Sequence, residues 1–372
     1  MLTKPLCVAA VLLISTSIVL GNDLEIITAS NAPPVQPIEK APTKRQRYSP
    51  ELAARYLDVA SLNWQKDRKC VTCHTNMAYL MSRPALSAVL KDSGEVRTFY
   101  EKFVNEQSTG ITGKPRVGDY RPVVAATGLV FNDLQTEGQL SLSALTALKL
   151  MWQTQRDDGG WSWAKCGWAP MEIDDHYGVS LAALTVGVAP AKYRDSSEAR
   201  EGVAKIRQFL SSTPPKSLHH RMMLLWASKY IDSLLTKEQQ RVILKEVIVS
   251  QLSDGGWSTA QLLSDWKEFK RKDNAEQTIN ESDAYATGLA ISLAREFGYA
   301  AESPLIQPAT AWLTRNQDTD GKWFTRSPSK DSQQFFTNIG TAFAILGLQA
   351  SGELPGWPFT SEELPGSPFT VE

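Results

Sequence analysis

A chain of 372 residues with 39 basic and 40 acidic side chains carries a formal net charge of −1, which excludes the broad basic footprint of a nucleic-acid-binding protein. Its length suits one large domain or two small ones, and 42% apolar residues suffice to fill such a core. Of the four cysteines, the three that follow Cys7 cannot form a complete disulfide framework.

Residues 1–21 place one lysine, Lys4, ahead of an apolar run from Leu6 to Leu20, with small or polar residues after it. That layout predicts a secretory signal peptide cleaved near Gly21 or Ala29, and hence an exported protein, periplasmic or secreted. The alternative is an uncleaved N-terminal anchor, for which the run is short. Cys7 lies inside the run, so cleavage leaves Cys70, Cys73 and Cys166. Residues 22–48 hold Pro33, Pro34, Pro37 and Pro42 and end on Lys44-Arg45-Gln46-Arg47, the composition of a solvated linker.

From Ser49 onward, segments with helical apolar spacing alternate with loops, and no sustained period-2 stretch competes with them. The spacing predicts six helical pairs: 49–66 with 75–91, 94–107 with 119–134, 138–155 with 174–188, 196–211 with 216–231, 236–252 with 280–297, and 303–317 with 332–350. Ser49-Pro50, Asp174 and Ser303-Pro304 read as start signals. Second helices such as Gly178–Leu184, Gly288–Ala294 and Gly340–Gly347 are apolar on nearly all sides, as buried helices are, whereas Glu198–Leu210 and Thr236–Leu252 are amphipathic. Six hairpins of this kind close naturally into a double ring, so the expected fold is all-α, a single six-hairpin α/α toroid over residues 49–350. The tail, 351–372, repeats Glu353-Leu-Pro-Gly-Trp-Pro-Phe-Thr as Glu363-Leu-Pro-Gly-Ser-Pro-Phe-Thr, too rich in proline to continue as helix.

Three junctions share one pattern. Gln155-Arg-Asp-Asp-Gly-Gly-Trp161, Gln251-Leu-Ser-Asp-Gly-Gly-Trp257 and Gln317-Asp-Thr-Asp-Gly-Lys-Trp323 each place Gln six residues before Trp. Glycine permits the left-handed backbone that ends a helix, Asp bonds exposed amides, and Trp covers the turn. A triple recurrence weighs far more than a single match. These turns resemble the QW repeats of squalene-hopene cyclases, and the chain over about residues 49–350 resembles the terpenoid cyclase and protein prenyltransferase toroid superfamily.

In squalene-hopene cyclases a D-x-D-D-T-A motif opens an inner helix shortly after a Gly-Gly-Trp turn. Glu172-Ile-Asp174-Asp175-His-Tyr177 stands in a similar place, with Glu for the first Asp and His176-Tyr177 for Thr-Ala. The resemblance implies that Asp174 donates a proton to an alkene, with Glu172 and Asp175 as its neighbours, and that the partner is a terpenoid or isoprenoid ligand. An alkene is a weak base, so such a donor must stay protonated in a dry cavity. Aromatic faces then stabilise the cation, and Trp161, Trp163, Trp168 and Tyr177 are available for it. The alternative is structural: Asp174 caps the helix, with Glu172 and Asp175 as ordinary first-turn acids. A zinc site from Cys166, Asp174, Asp175 and His176 is chemically conceivable, but its spacing matches no known motif, and neither zinc nor a nucleotide is expected.

Cys70-Val-Thr-Cys73-His74 is the attachment signature of c-type haem, in which two thiols bond the vinyl groups and His74 ligates iron. Met77, Met81 and His176 are candidates for the sixth ligand. The motif stands where a Gly-x-Trp turn would follow the first outer helix. A disulfide or free thiol pair in a turn, or half of a metal site completed by Cys166, are the alternatives. His219-His220 reads as a polar entry turn, and Glu281-Ser-Asp283-Ala-Tyr285 as a second acidic helix opening. Three functions therefore remain open: an acid-initiated cyclase or isomerase, a haem-bearing electron-transfer or sensor protein with a redox or membrane-surface partner, and a non-catalytic lipid- or protein-binding module. The haem and acid motifs lie on different hairpins, so they are expected as separate sites.

Overall fold

The computed structural model describes residues 25–36, 43–111, 113, 115–263, 271–331 and 334–359, and the fold among them is all-α. The signal peptide, Cys7 and the second tail repeat lie outside the described residues. The helices are α1 (Pro50–Arg68), α2 (Asn76–Ser82), α3 (Glu95–Thr109), α4 (Arg121–Thr136), α5 (Leu142–Gln153), α6 (His176–Val188) and α7 (Ala191–Arg194). They continue with α8 (Ser197–Ser212), α9 (Leu218–Ser228), α10 (Lys237–Val249), α11 (Thr259–Leu262), α12 (Ala284–Glu296), α13 (Ile306–Arg315) and α14 (Phe335–Ala350). No helix of the described residues is long and apolar enough to cross a membrane.

All twelve helices of the six expected pairs form, and their ends follow local chemistry. Ser49 caps α1 by accepting from the Leu52 amide, with Pro50 fixing the first turn. Thr236 and Gln239 make a reciprocal capping box on α10. The helix expected over 75–91 stops at Ser82 and passes into a 3-10 turn, Arg83–Leu86, because Pro84 lacks the amide that α-helix requires. Ser303 precedes the last outer helix as expected, although the regular turns of α13 begin only at Ile306.

Helix faces separate into two kinds. Every residue of α2 and α6 is buried, and nearly all of α14, whereas α8 buries only Ala199, Gly202, Val203, Ile206 and Phe209 along one stripe. The buried helices pack in sequence: α2 on α4, α4 on α6, α6 on α9, α9 on α12, α12 on α14, and α14 back on α2. The tightest of these approaches, α12 on α14, depends on Gly288, where any Cβ would collide with the Phe343 carbonyl. A buried Arg83–Asp58 pair (2.9 and 3.0 Å) ties the 3-10 turn to α1.

The three Gln-to-Trp turns are the same object. In each, the indole donates to a carbonyl of its own helix: Trp161 to Met151 (3.2 Å), Trp257 to Val247 (2.7 Å) and Trp323 to Leu313 (2.8 Å). The glutamine amide donates twice, once within the turn and once to a helix further along the chain, to the start of one, or, for Gln317, back to the start of α1. Gln155 thus reaches Gly202 of α8 (3.0 Å), Gln251 reaches Leu305 before α13 (2.9 Å), and Gln317 reaches Ser49 before α1 (2.9 Å). Close approach explains the glycine: Gly159, at φ +91°, lies so near the Lys205 carbonyl that no Cβ fits.

Both flanking segments dock where they are described. Residues 25–36, expected as solvated linker, lie along α1: Asn63 Nδ2 donates to the Pro33 carbonyl (2.8 Å), and Ile27 is 4% exposed. A branched apolar side chain in a proline-rich stretch supplies the anchor. The tail after α14 is irregular, as expected, but Leu354 and Phe359 are buried.

Candidate functional site

The N-terminal ends of the buried helices carry most of the residues singled out by sequence. CVTCH fills the α1–α2 junction. Lys69, at φ +50°, ends α1, and Trp64 Nε1 donates to the Cys70 carbonyl (3.0 Å). Cys73 and His74 are 2% and 5% exposed, and Cys70 is half-buried. The His74 ring stacks on Phe335 (centroids 4.3 Å apart) and meets the edge of Trp64 (4.7 Å). Its Nδ1 is 2.7 Å from Thr75 Oγ1, and Thr75 accepts from Asn338, which in turn accepts from Tyr56 OH (2.8 Å). That chain fixes the ring through Nδ1 and leaves Nε2 as the nitrogen that faces Glu172 (3.9 Å). Burial holds the imidazole pKa down at about 3, so His74 is neutral at physiological pH, the state that ligates metal.

Glu172 comes to this junction from the third hairpin, which corrects the expectation of two separate sites. The chain from Lys165 doubles back through a short turn in which the Gly167 amide donates to the Glu172 carbonyl and the Glu172 amide to that of Trp168 (both 2.9 Å). The carboxylate ends 3.8 Å from Cys73 Sγ and 3.9 Å from His74 Nε2, with the exposed Cys166 thiol also facing it. Burial raises the Glu172 pKa and, far more, that of Cys73. Because burial keeps the imidazole neutral, the approach at 3.9 Å is not an ion pair. Contact order along the chain hides this grouping, because 99 residues separate Cys73 from Glu172.

Asp174 and Asp175 turn elsewhere. Asp174 accepts from the His176 amide (2.9 Å) at the start of α6, and its Oδ1 is 3.6 Å from His220 Nε2. Asp175 pairs with Arg156 (2.9 Å) and Lys165 (3.1 Å) and accepts from the Trp163 amide (3.2 Å), so it binds the Gly-Gly-Trp turn to α6. The conceivable zinc set therefore does not assemble: Cys166 faces Glu172 while Asp175 is held by two cations. Among the described residues no three His, Cys, Asp or Glu side chains converge to hold a metal ion.

His219 and His220, read as a polar entry turn, are fully buried instead. His219 Nε2 lies 2.8 Å from Tyr285 OH, its ring stacks at 6.0 Å on Tyr177, and the His220 ring stacks at 5.5 Å on His176. Two adjacent histidines on an otherwise apolar helix were the available signal; their partners on α6 and α12 were not visible locally. Asp283 caps α12 by accepting from Ala286 (2.9 Å) and also binds Thr259, the capping role sequence allowed for. Met77 and Met81, candidates for a sixth ligand, are buried within α2. Comparison of the chain with protein-family models and with curated proteins gives no match.

Proposed function

We propose that this chain is an exported six-hairpin α/α toroid that carries c-type haem on Cys70 and Cys73, with His74 as axial ligand, and serves electron transfer or sensing. The observation that carries the reading is His74 itself: a buried, neutral imidazole oriented through Nδ1 by a Thr75–Asn338–Tyr56 chain, beside two thiols at the attachment spacing. The toroid part rests on the return of the buried helices from α14 to α2 and on Gln317, which joins the last outer helix to Ser49 before the first. Bound haem would supply one-electron chemistry at iron. The protein's own part is to hold both thiols at one helix junction and screen one side of the imidazole with Phe335. Glu172 stands at Nε2 and must yield to any ligand there. The full chain, produced with c-haem maturation, should gain a haem-sized mass increment and a Soret band. Cys73→Ser should retain at most one thioether, and His74→Ala should lose the native axial spectrum. Absence of both the mass increment and the band in the wild type would remove the reading.

A second reading, acid-initiated chemistry on an isoprenoid or terpenoid ligand, is favoured by one observation. Within the acidic stretch, Glu172 is the buried acid whose pKa burial raises, and it lies beside Trp168, whereas Asp174 is partly exposed and accepts from the His176 amide. If this reading holds, Glu172→Gln abolishes turnover of polyprene substrates and Asp174→Asn slows it less. Equal product from both variants and wild type, or none from any, rejects it.

A further inference from the structure

The outer helices are joined by Gln–Trp turns at α5–α8, α10–α13 and α13–α1, but α8 ends in Ser211-Ser212-Thr213-Pro214-Pro215 and has no such turn to reach α10. An apolar groove of about 570 Å³ remains there, floored by Leu210, Leu224, Leu234 and Ile243. Val242, 46% exposed, stands on its rim with Arg207 and Arg221. An apolar cleft of this size on a protein surface calls for an occupant.

The chain supplies a template for one. In the first tail repeat the Leu354 amide bonds the Leu348 carbonyl (3.2 Å), Gln349 donates to the carbonyls of Pro355 (3.2 Å) and Gly356 (2.8 Å), and Phe359 packs on Phe131 (5.1 Å). Trp357 adds a bond to Glu296 (3.0 Å). The second repeat, Glu363–Thr370, keeps Leu, both prolines, Gly and Phe but has Ser367 for Trp, so it lacks the residue that secures the first seat. Its sequence holds the same apolar pair, Leu364 and Phe369, without the tryptophan that bonds Glu296 in the first repeat.

Position points the same way. Glu296 bonds both Trp357 and Tyr230 OH (2.5 Å), and Tyr230 stands three residues before Ser233, where the groove begins. The 13 residues after Phe359 reach about 43 Å when extended, ample for the passage. They carry Glu362, Glu363 and Glu372 and no basic residue, while the groove lining carries Arg207 and Arg221 together with Glu238, Arg221 being paired with Glu246 (2.9 Å). We propose that the second tail repeat, residues 363–369, docks in the α8–α10 groove of its own chain, covering a seam that lacks a Gln–Trp turn.

Hydrogen exchange on the full chain and on a chain ending at Ser361 tests this. Truncation should speed exchange at Leu234–Leu235 and over the first turns of α10 by about tenfold, and a synthetic peptide of residues 361–372 should restore protection. Val242→Glu, an exposed position, should reproduce the faster exchange in the full chain with an unchanged melting temperature. A Phe369→Ala peptide should restore protection at least tenfold more weakly. Unchanged exchange on truncation would overturn the proposal, as would protection that grows with protein concentration, since that would place a second molecule in the groove.

Discussion

Glu296 is 4% exposed at the C-terminal end of α12, where it accepts from Tyr230 and Trp357. Burial outweighs both donors and pushes its pKa up to about 7, from an ordinary value of 4.5. Between those values the folded state keeps a proton that the unfolded chain has lost. Its contribution to stability is therefore full below pH 4.5, falls as pH rises, and is lost by about pH 7, a change on the order of 3 kcal/mol. Glu296→Gln should lack this component, so the difference in unfolding free energy between variant and wild type should move in the variant's favour from pH 5 to pH 8. Parallel urea-unfolding profiles at the two pH values would contradict it. Sequence marked α12 as a helix but gave no sign of this residue, because its partners lie 66 and 61 positions away.

At the scale of the element, the Gln–Trp turn does two jobs with one side chain. Gly159→Ala would combine a φ of +91° with a collision against the Lys205 carbonyl, and should cost about 2–4 kcal/mol. Gly352→Ala is the control, since its φ of +89° opens onto free space and only about 1–2 kcal/mol of backbone strain is at stake. Equal losses in chemical denaturation would show that packing at Gly159 is irrelevant. Gln317→Ala removes two donated bonds and the one its oxygen accepts from the Ser49 amide (2.8 Å), for about 2–4 kcal/mol. Hydrogen exchange should then quicken in both α1 and α13; a change in α13 alone would mean that the turn holds only its own helix. The turns themselves were legible because Gln, Asp, Gly and Trp act within seven residues. Their reach was not: Gln155 bonds a carbonyl 47 residues away and Gln317 one 268 away.

For the whole molecule, the decisive contact is the one between α14 and α2, which joins the last hairpin to the first. Gly340 faces the Thr325 side chain so closely that Gly340→Leu must displace it. Because α14 packs on α12 and on α2, the variant should reduce exchange protection in both helices, by about 1 kcal/mol or more of opening free energy. Loss confined to α12 would count against a closed arrangement. The same closure brings CVTCH and Glu172 to one end of the buried helices, so a proposed haem and a proposed acid would compete for one place.

The sequence by itself determined the helices and which of them are buried, because periodicity, caps and glycine turns act within a few residues; it did not determine their pairing, since α5 packs on α4, α10 on α9 and α12 on α13 as well as on α14. It also exposed CVTCH as a unit, since two thiols and an imidazole five residues long are read as a string. Only the tertiary structure decided that Glu172, not Asp174, meets that unit, that Asp175 is bound by Arg156 and Lys165, and that His219 and His220 are interior. Those outcomes depend on which helix ends converge and which way a loop folds back. Both are set by contacts between residues far apart in the chain, for which local spacing carries no information.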